Sequence, residues 1–353
     1  MNKLNLVFLG DISLNGQYET LYGKGKNPFN RISKELKNKI IIGNLECFAR
    51  GDDGVNTLKK PRLETSVEAL NLVKYFNLNT ACLANNHVYD HLDNGFQTTC
   101  EKLKEIGVKT VGASLHDTDF KEPLIIENKD VRVGLLNYVT KDTNPCRPDN
   151  TRINLNVFDE SRVILEIEKL KDRVDHVVLC LHWGGRVEGG IFPDFHQPIL
   201  AKRLIDLGAD LIVGHHSHTV QPYEKYKGKY IFYSLGNFCF SDFVFNGVKN
   251  TMPNRRRNVF IPSITFDKNK YSVKTNYWFN FGCNYKKNPK FKLRMAFVNL
   301  FSLLMRFNYA WRIYFFWHRK IDPVYLYFID DSVSFYKKIS TLNFGKLRKH
   351  LRK

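Results

Sequence analysis

Residues 210–218 read DLIVGHHSH: a short apolar run that breaks into a glycine and then three histidines within four positions. An apolar strand ending in polar, ligand-type side chains is a unit that recurs along this chain. Residues 4–9 (LNLVFL) run into Gly10-Asp11, and Ile40-Ile41-Ile42 runs into Gly43-Asn44-Leu45-Glu46. Residues 80–84 lead into Asn85-Asn86-His87, residues 131–137 into a polar loop, and residues 176–181 into His182-Trp183-Gly184. Residues 230–233 lead into Ser234-Leu235-Gly236-Asn237. Helical periods over residues 66–76, 95–106, 159–171 and 197–207 lie between these runs. Strands alternating with helices predict an α/β fold, in which functional groups gather in the loops at strand ends.

Composition bounds the class. The 353 residues are 43% hydrophobic and 25% charged, which excludes a disordered or fibrous chain and allows one large or two modest domains. The seven cysteines are scattered singly with no C-x-x-C pair, so they read as buried thiols in a reducing compartment. The apolar run at residues 4–9 is too short for a secretory leader, and no uninterrupted apolar stretch approaches the roughly 18 residues of a spanning helix. A cytoplasmic location without signal peptide is the expectation.

Charge is uneven. Lys+Arg number 54 against 35 Asp+Glu, a net +19, yet residues 1–240 hold 31 basic and 30 acidic side chains. The remaining 23 basic and 5 acidic residues give residues 241–353 a charge of +18. A near-neutral body therefore carries a basic tail.

The metal-capable side chains at the strand ends are Asp11, Glu46, Asn86, His87, His182, His216 and His218. Each alone reads most simply as a turn, cap or core residue. Together they form a mixed O/N set suited to Zn, Mn or Fe rather than to Ca or an Fe–S cluster. On an extended segment alternate side chains share a face, so His216 and His218 can converge while His215 is expected to face the other side, as a core histidine or one behind the ligands.

At this point the chain resembles the CapA-like proteins of capsule and poly-γ-glutamate synthesis, relatives of the calcineurin-like metallophosphoesterases. The residues that carry the resemblance are Gly10-Asp11, Asn44-Leu45-Glu46, Asn85-Asn86-His87 with Asp90 and Gly95, and His182-Trp183-Gly184. Glu188, Pro193 and Gln197, then Gly208-Ala209-Asp210, Gly214-His215-His216-Ser217-His218 and residues 233–238 (YSLGNF) complete the set over roughly residues 4–240. The resemblance implies an α/β, metallophosphatase-like four-layer β-sandwich flanked by helices, with a basic aromatic helical C-terminal extension. It implies two divalent transition metals (Mn, Zn or Fe): Asp11 and His218 on the first, Glu46 bridging, and Asn86, His182 and His216 on the second. His87 would assist the leaving oxygen.

Departures matter equally. The phosphoesterase pattern has a histidine two residues after the first aspartate, where this chain has Ser13. The family's His-Trp-Gly-x-Glu reads His182-Trp183-Gly184-Gly185-Arg186-Val187-Glu188, an apparent two-residue insertion. Glu188 and Arg186 thereby join His87 as catalytic candidates, Arg186 as a contact for an anionic substrate.

Residues 1–245 are expected to form the core domain and residues 246–285 a basic loop with the core's closing strands. Residues 286–353 would be a helical extension. The stretch at 250–259, NTMPNRRRNV, reads as an exposed loop. In the extension Arg294, Asn308, Arg312 and Arg319 gather on one side of a helical wheel, against Phe297, Leu300, Leu304, Phe307 and Trp311, as in a helix lying at an anionic membrane surface. The inner membrane face and an anionic polymer or phosphorylated envelope precursor are the expected partners; nucleic acid is disfavoured because no nucleic-acid module accompanies the basic stretch. Two functions stay open: a metal-dependent hydrolase acting in capsule or exopolysaccharide biosynthesis, and a non-catalytic accessory protein of polymer assembly or export that binds metal or anionic polymer through the same pocket.

Overall fold

Along the strand Leu4–Ile12, Leu4, Leu6 and Phe8 point to one side and Val7 and Leu9 to the other, and both sides are buried. That explains a continuous apolar run where a half-exposed strand would alternate. In the computed structural model, which describes residues 2–245 and 248–304 together with Phe316 and Val324, the same division repeats across two sheets. Leu6, Phe8, Ile42 and Cys82 of one sheet meet Leu135, Val178, Cys180 and Val213 of the other in a central core. Val7, Leu9 and Ile41 pack outward against Phe29, Leu70, Val73 and Phe76. Leu136, Leu179, Leu181 and Ile212 pack outward on the opposite side against Val163, Ile167 and Leu204. The layers are therefore helix, sheet, sheet, helix.

The eight-stranded sheet runs Tyr285–Lys287, Tyr271–Asn280, Asn258–Phe266, Leu4–Ile12, Ile40–Leu45, Leu78–Cys82, Lys109–Val111, with Asn237–Cys239 joined parallel to the end of Leu4–Ile12. Its last four strands are parallel, while Asn258–Phe266 closes antiparallel on Leu4–Ile12. The six-stranded sheet runs Tyr223–Tyr226, Lys229–Phe232, Leu211–His215, His176–His182, Arg132–Val139, Leu124–Glu127. Helix Glu160–Lys171, whose N-cap Asp159 accepts from the Arg162 N–H, crosses between Arg132–Val139 and His176–His182. Helix His196–Asp206 crosses from His176–His182 to Leu211–His215. Parallel strands joined by such crossovers bring their C-terminal ends to one edge.

Several expectations shift in detail. The first strand continues through Gly10 and Asp11 to Ile12, with an irregular register between Leu9 and Asp11. Gly10 is required by close approach, not by a turn: a Cβ there would lie 1.9 Å from the Gly236 carbonyl oxygen, to which Asp11 N–H donates at 2.9 Å. Residues Glu68–Phe76 form a 3₁₀ rather than an α-helix. The arginine run at 255–257 is not an exposed loop; it forms a partly buried 3₁₀ turn in which Arg256 pairs with Glu188 at 3.2 Å and Arg257 with Asp242 at 3.0 Å. All seven cysteines are free, and Cys100 and Cys146 are only partly buried.

Helix Pro289–Leu304 lies in the stretch expected to form a C-terminal extension. Phe291 and Met295 bury against the central core, and Asn299 Oδ1 accepts from Tyr223 N–H at 3.0 Å. Arg294, Leu293, Phe297 and Leu300 face solvent. Asn308, Arg312, Arg319, Phe307, Trp311 and the side chain of Leu304 lie outside the described residues. Among the described residues no helix is long and apolar enough to cross a membrane.

Candidate metal centre

The strand ends of both sheets meet at one place. Asp11 stands opposite Asn44 in the eight-stranded sheet, and His182 opposite His215 in the six-stranded sheet. Asn85 anchors the following loop by donating to the Leu45 carbonyl at 2.7 Å and accepting from His87 N–H at 2.9 Å, which ties the Asn86-His87 segment to the end of the strand that precedes Glu46. Asn137 crosses between the sheets: its Oδ1 accepts from Ala84 N–H at 2.8 Å and its amide donates to the Cys180 carbonyl at 3.1 Å. Asp11, Glu46 and His182 offer ligand atoms within 4.8 Å of one another, all fully buried.

Around His182 the geometry is tight. Its Nε2 lies 3.0 Å from Asn86 Oδ1 and 3.0 Å from His216 Nδ1. The Asn86 amide donates to the Thr143 carbonyl at 3.2 Å, so its oxygen faces the histidines. Burial, with the neighbouring imidazoles, pushes His182 well below the usual histidine range and His216 down to about 4, so both rings are neutral at pH 7. A neutral imidazole has one N–H, so His182 Nε2 can donate to Asn86 Oδ1 or to His216 Nδ1 but not fully to both, whereas two ligand atoms about 2 Å from one ion and at right angles lie about 3 Å apart. The donor set fits a divalent cation.

The carboxylate side is charged and compact. Asp11 Oδ1 accepts from Asn44 at 2.9 Å and meets His215 Nδ1 at 3.2 Å; its Oδ2 meets His218 Nδ1 at 3.3 Å. Burial raises the Asp11 pKa, but His215 and His218 overcome it and hold the carboxyl well below its usual range. Burial, reinforced by Asp11, pushes Glu46 well above its usual range, and Glu46 Oε2 has no hydrogen-bond partner among the described residues. A buried carboxylate oxygen without a donor is costly unless a cation takes it. His218 Nδ1 lies 3.0 Å from Asn237 Oδ1 and 3.8 Å from Glu46 Oε2; burial opposes its charge, but Glu46 and Asp11 pull its pKa up to about 9.

His215 does not face away. Positive φ at His216 (95°) and His218 (58°) ends the strand geometry after His215, so alternation fails and His215, His216 and His218 all contact the cluster. Ser13, where the phosphoesterase pattern has histidine, turns its hydroxyl to Asn15 Oδ1 at 3.0 Å.

The cluster opens into a pocket of about 360 Å³ whose wall includes Asn86, His87, His216, His218, Glu188 and Arg256. His87 Nδ1 lies 2.7 Å from Asp90 Oδ2. Burial lowers the His87 pKa and Asp90 partly restores it. Glu188, half exposed, is held by Arg256; burial raises its pKa, but His218 and Arg256 bring it down to about 2. Arg186 is exposed and does not line the pocket, because the turn Gly185–Val187 carries it outward. Arg256 is the arginine on the wall. Lys59 also lines the pocket, donating to the Asn86 carbonyl; burial lowers its pKa while Asp90 and Glu46 oppose the shift. Asn44 and Asn237 were legible as neighbours of Glu46 and of the strand end at 233, whereas the arginine run and Lys59 carried no local signal of a site.

Residues 5–242 match the family model for the bacterial capsule synthesis protein PGA_cap. The capsule biosynthesis protein CapA of Bacillus anthracis is 32% identical over 257 residues, covering 67% of this chain and 60% of that protein. The PGA biosynthesis protein CapA of Bacillus subtilis is 31% identical over 243 residues, covering 67% of this chain and 63% of that protein. The matched region thus spans less than two thirds of either relative's length. Among solved structures, Haemophilus influenzae NAD nucleotidase is similar at TM-score 0.43 and 14% identity, over 85% of this chain and 56% of that one. With the family model covering residues 5–242 of the 353, this chain belongs to the bacterial capsule synthesis protein PGA_cap family.

Proposed function

We propose that the chain is a metal-dependent hydrolase-like component of anionic cell-envelope polymer synthesis, acting on a phosphoester or related bond. The observation that carries this reading is the meeting of Asn86 Oδ1, His182 Nε2 and His216 Nδ1 at 3.0 Å spacings, beside the unpartnered Glu46 Oε2 and at the base of an open pocket. Asp11, Glu46, Asn86, His182, His216 and His218 would hold one or two divalent transition metals (Mn, Zn or Fe). Bound there, such ions lower the pKa of water and neutralise charge on the reacting oxygens. His87 keeps Nδ1 on Asp90, which leaves Nε2 to take or return a proton on the pocket side. Arg256, with Glu188 as its partner, would hold an anionic part of the substrate. The relatives' names, capsule biosynthesis protein and PGA biosynthesis protein, support an anionic polymer or its precursor as that substrate.

A second reading, a non-catalytic accessory that binds metal or polymer in the same pocket, is favoured by Ser13, whose hydroxyl is engaged by Asn15. Elemental analysis of the purified protein, with turnover of phosphomonoesters and phosphodiesters in the presence of Mn, separates the two. Bound metal and an activity abolished in His87→Ala support the hydrolase. A protein that takes up no metal and stays inert with every metal added removes it. The exposed Leu293, Phe297 and Leu300 beside Arg294 support a peripheral contact with an anionic membrane; flotation with anionic vesicles should be lost in Phe297→Ser.

A further inference from the structure

Lys59 is 8% exposed, and its ammonium donates to the carbonyl oxygen of Asn86. No described carboxylate pairs with it within 4.0 Å. An ammonium has three N–H donors, and a neutral carbonyl satisfies one of them. The other charged side chains of the pocket wall are differently placed. Arg256 is neutralised by Glu188, and Lys60 is exposed to solvent. Asp142 is engaged through Oδ2 by the Gly185 N–H at 2.9 Å and through Oδ1 by the Thr140 hydroxyl. Lys59 is thus a buried cation that the fold holds at a pocket with no described carboxylate in direct contact; Asp90 and Glu46 act on it only from beyond ion-pair distance. Such a group is costly to the folded state on its own and is stabilised when a ligand brings the opposite charge.

We propose that Lys59 is a binding residue of this pocket, taking a phosphoryl or carboxylate oxygen of the bound molecule next to the His87–Asp90 pair. The inference deepens the functional reading above and rests on it for the identity of the pocket. It makes the ligand an oxyanion whose charge is met by protein as well as by metal, and it sets the position of that charge over the Asn86 loop.

The test is calorimetric binding of inorganic phosphate and, separately, of a short glutamate oligomer to the full chain, with Mn and with chelator. Wild type, Lys59→Met and Lys60→Met are compared. Methionine fills similar volume without charge. Lys59→Met should weaken binding about tenfold or more, and Lys60→Met about twofold or less. Lys59→Met should melt no lower than wild type, because an uncompensated buried charge has gone. Lys59→Gln, which retains a donor, should bind with intermediate affinity. Whichever anion binds more tightly identifies the source of the oxyanion. An unchanged dissociation constant in Lys59→Met overturns the proposal, as does a wild type that binds neither anion. A Lys59→Met that fails to fold or melts several degrees lower also overturns it, since Lys59 then serves the fold. Because binding is read without turnover, an inert protein that loses its anion affinity in Lys59→Met keeps this inference while removing the hydrolase. An active protein with unaltered affinity does the reverse.

Discussion

The two sheets bring different chemistry to the same edge. The eight-stranded sheet and its loops supply oxygen-bearing side chains: Asp11, Glu46 and Asn86, with Asn44 bracing both carboxylates. The six-stranded sheet supplies imidazoles: His182 and His215 at strand ends, then His216 and His218 in the turn that follows. Neither half makes a centre by itself. The acidic half carries a strained Glu46 that repels Asp11, and in the histidine half burial keeps His182 and His216 neutral while Glu46 and Asp11 draw a proton onto His218. Opposed across the sheet interface, they form one mixed site in which each half lacks what a cation would add.

Glu46→Gln strikes that comparison hardest. Metal affinity should fall by more than the roughly 10–100-fold typical of losing a residue that only supports a ligand, measured by competition with a metal indicator. In chelator the same variant should be more stable than wild type by about 1 kcal/mol or more, read from urea melts. The sign follows from the raised folded-state pKa of Glu46. Wild type is penalised only above the unfolded carboxyl pKa, so the gain should appear as pH rises past about 4.5 and vanish below it. Equal stability at pH 7 would break the claim that the oxygen half is strained.

The bridge between the halves is next in size. Asn137→Ala leaves the Ala84 N–H buried without its acceptor and should cost about 2–3 kcal/mol in denaturant melts. Metal affinity should fall with it, because the Asn85–His87 loop loses its tie to the imidazole sheet. A stability loss that leaves affinity untouched would show the halves to be set independently.

The smallest effect lies away from both. Asp93 accepts from Thr151 Oγ1 at 2.6 Å and from Arg152 N–H at 3.0 Å. Burial raises its pKa, yet these bonds bring the carboxyl below its usual range. Its stabilisation is present above the unfolded carboxyl pKa and lost as pH falls through the folded value. Asp93→Asn should cost about 1 kcal/mol at pH 7 after solvent screening, progressively less as pH falls below the unfolded carboxyl pKa, and leave metal affinity unchanged.

Strand ends and helix spans were readable locally because apolar periodicity is local: the helix expected at 159–171 is Glu160–Lys171, and the strand at 176–181 is His176–His182. Errors arose where a distant backbone intervened. Gly10 looked like a strand stop, but it is the point where Gly236 approaches. The arginines at 255–257 looked solvent-bound until Glu188 and Asp242 were set beside them.

By itself the sequence determined the metal-capable side-chain types and their places at strand ends, since burial on both faces forces apolar runs and expels polar groups to the termini. It also carried the family, through motifs in fixed order. Only tertiary structure decided which atoms meet. Asn86 and His182 lie 96 positions apart and come within 3.0 Å because two sheets pack. Positive φ at His216 and His218 lets all three histidines of this turn reach the cluster, and packing puts Arg256 rather than Arg186 on the pocket wall. Periodicity is set by near neighbours, whereas contact and charge compensation are set by whatever chain the fold brings alongside.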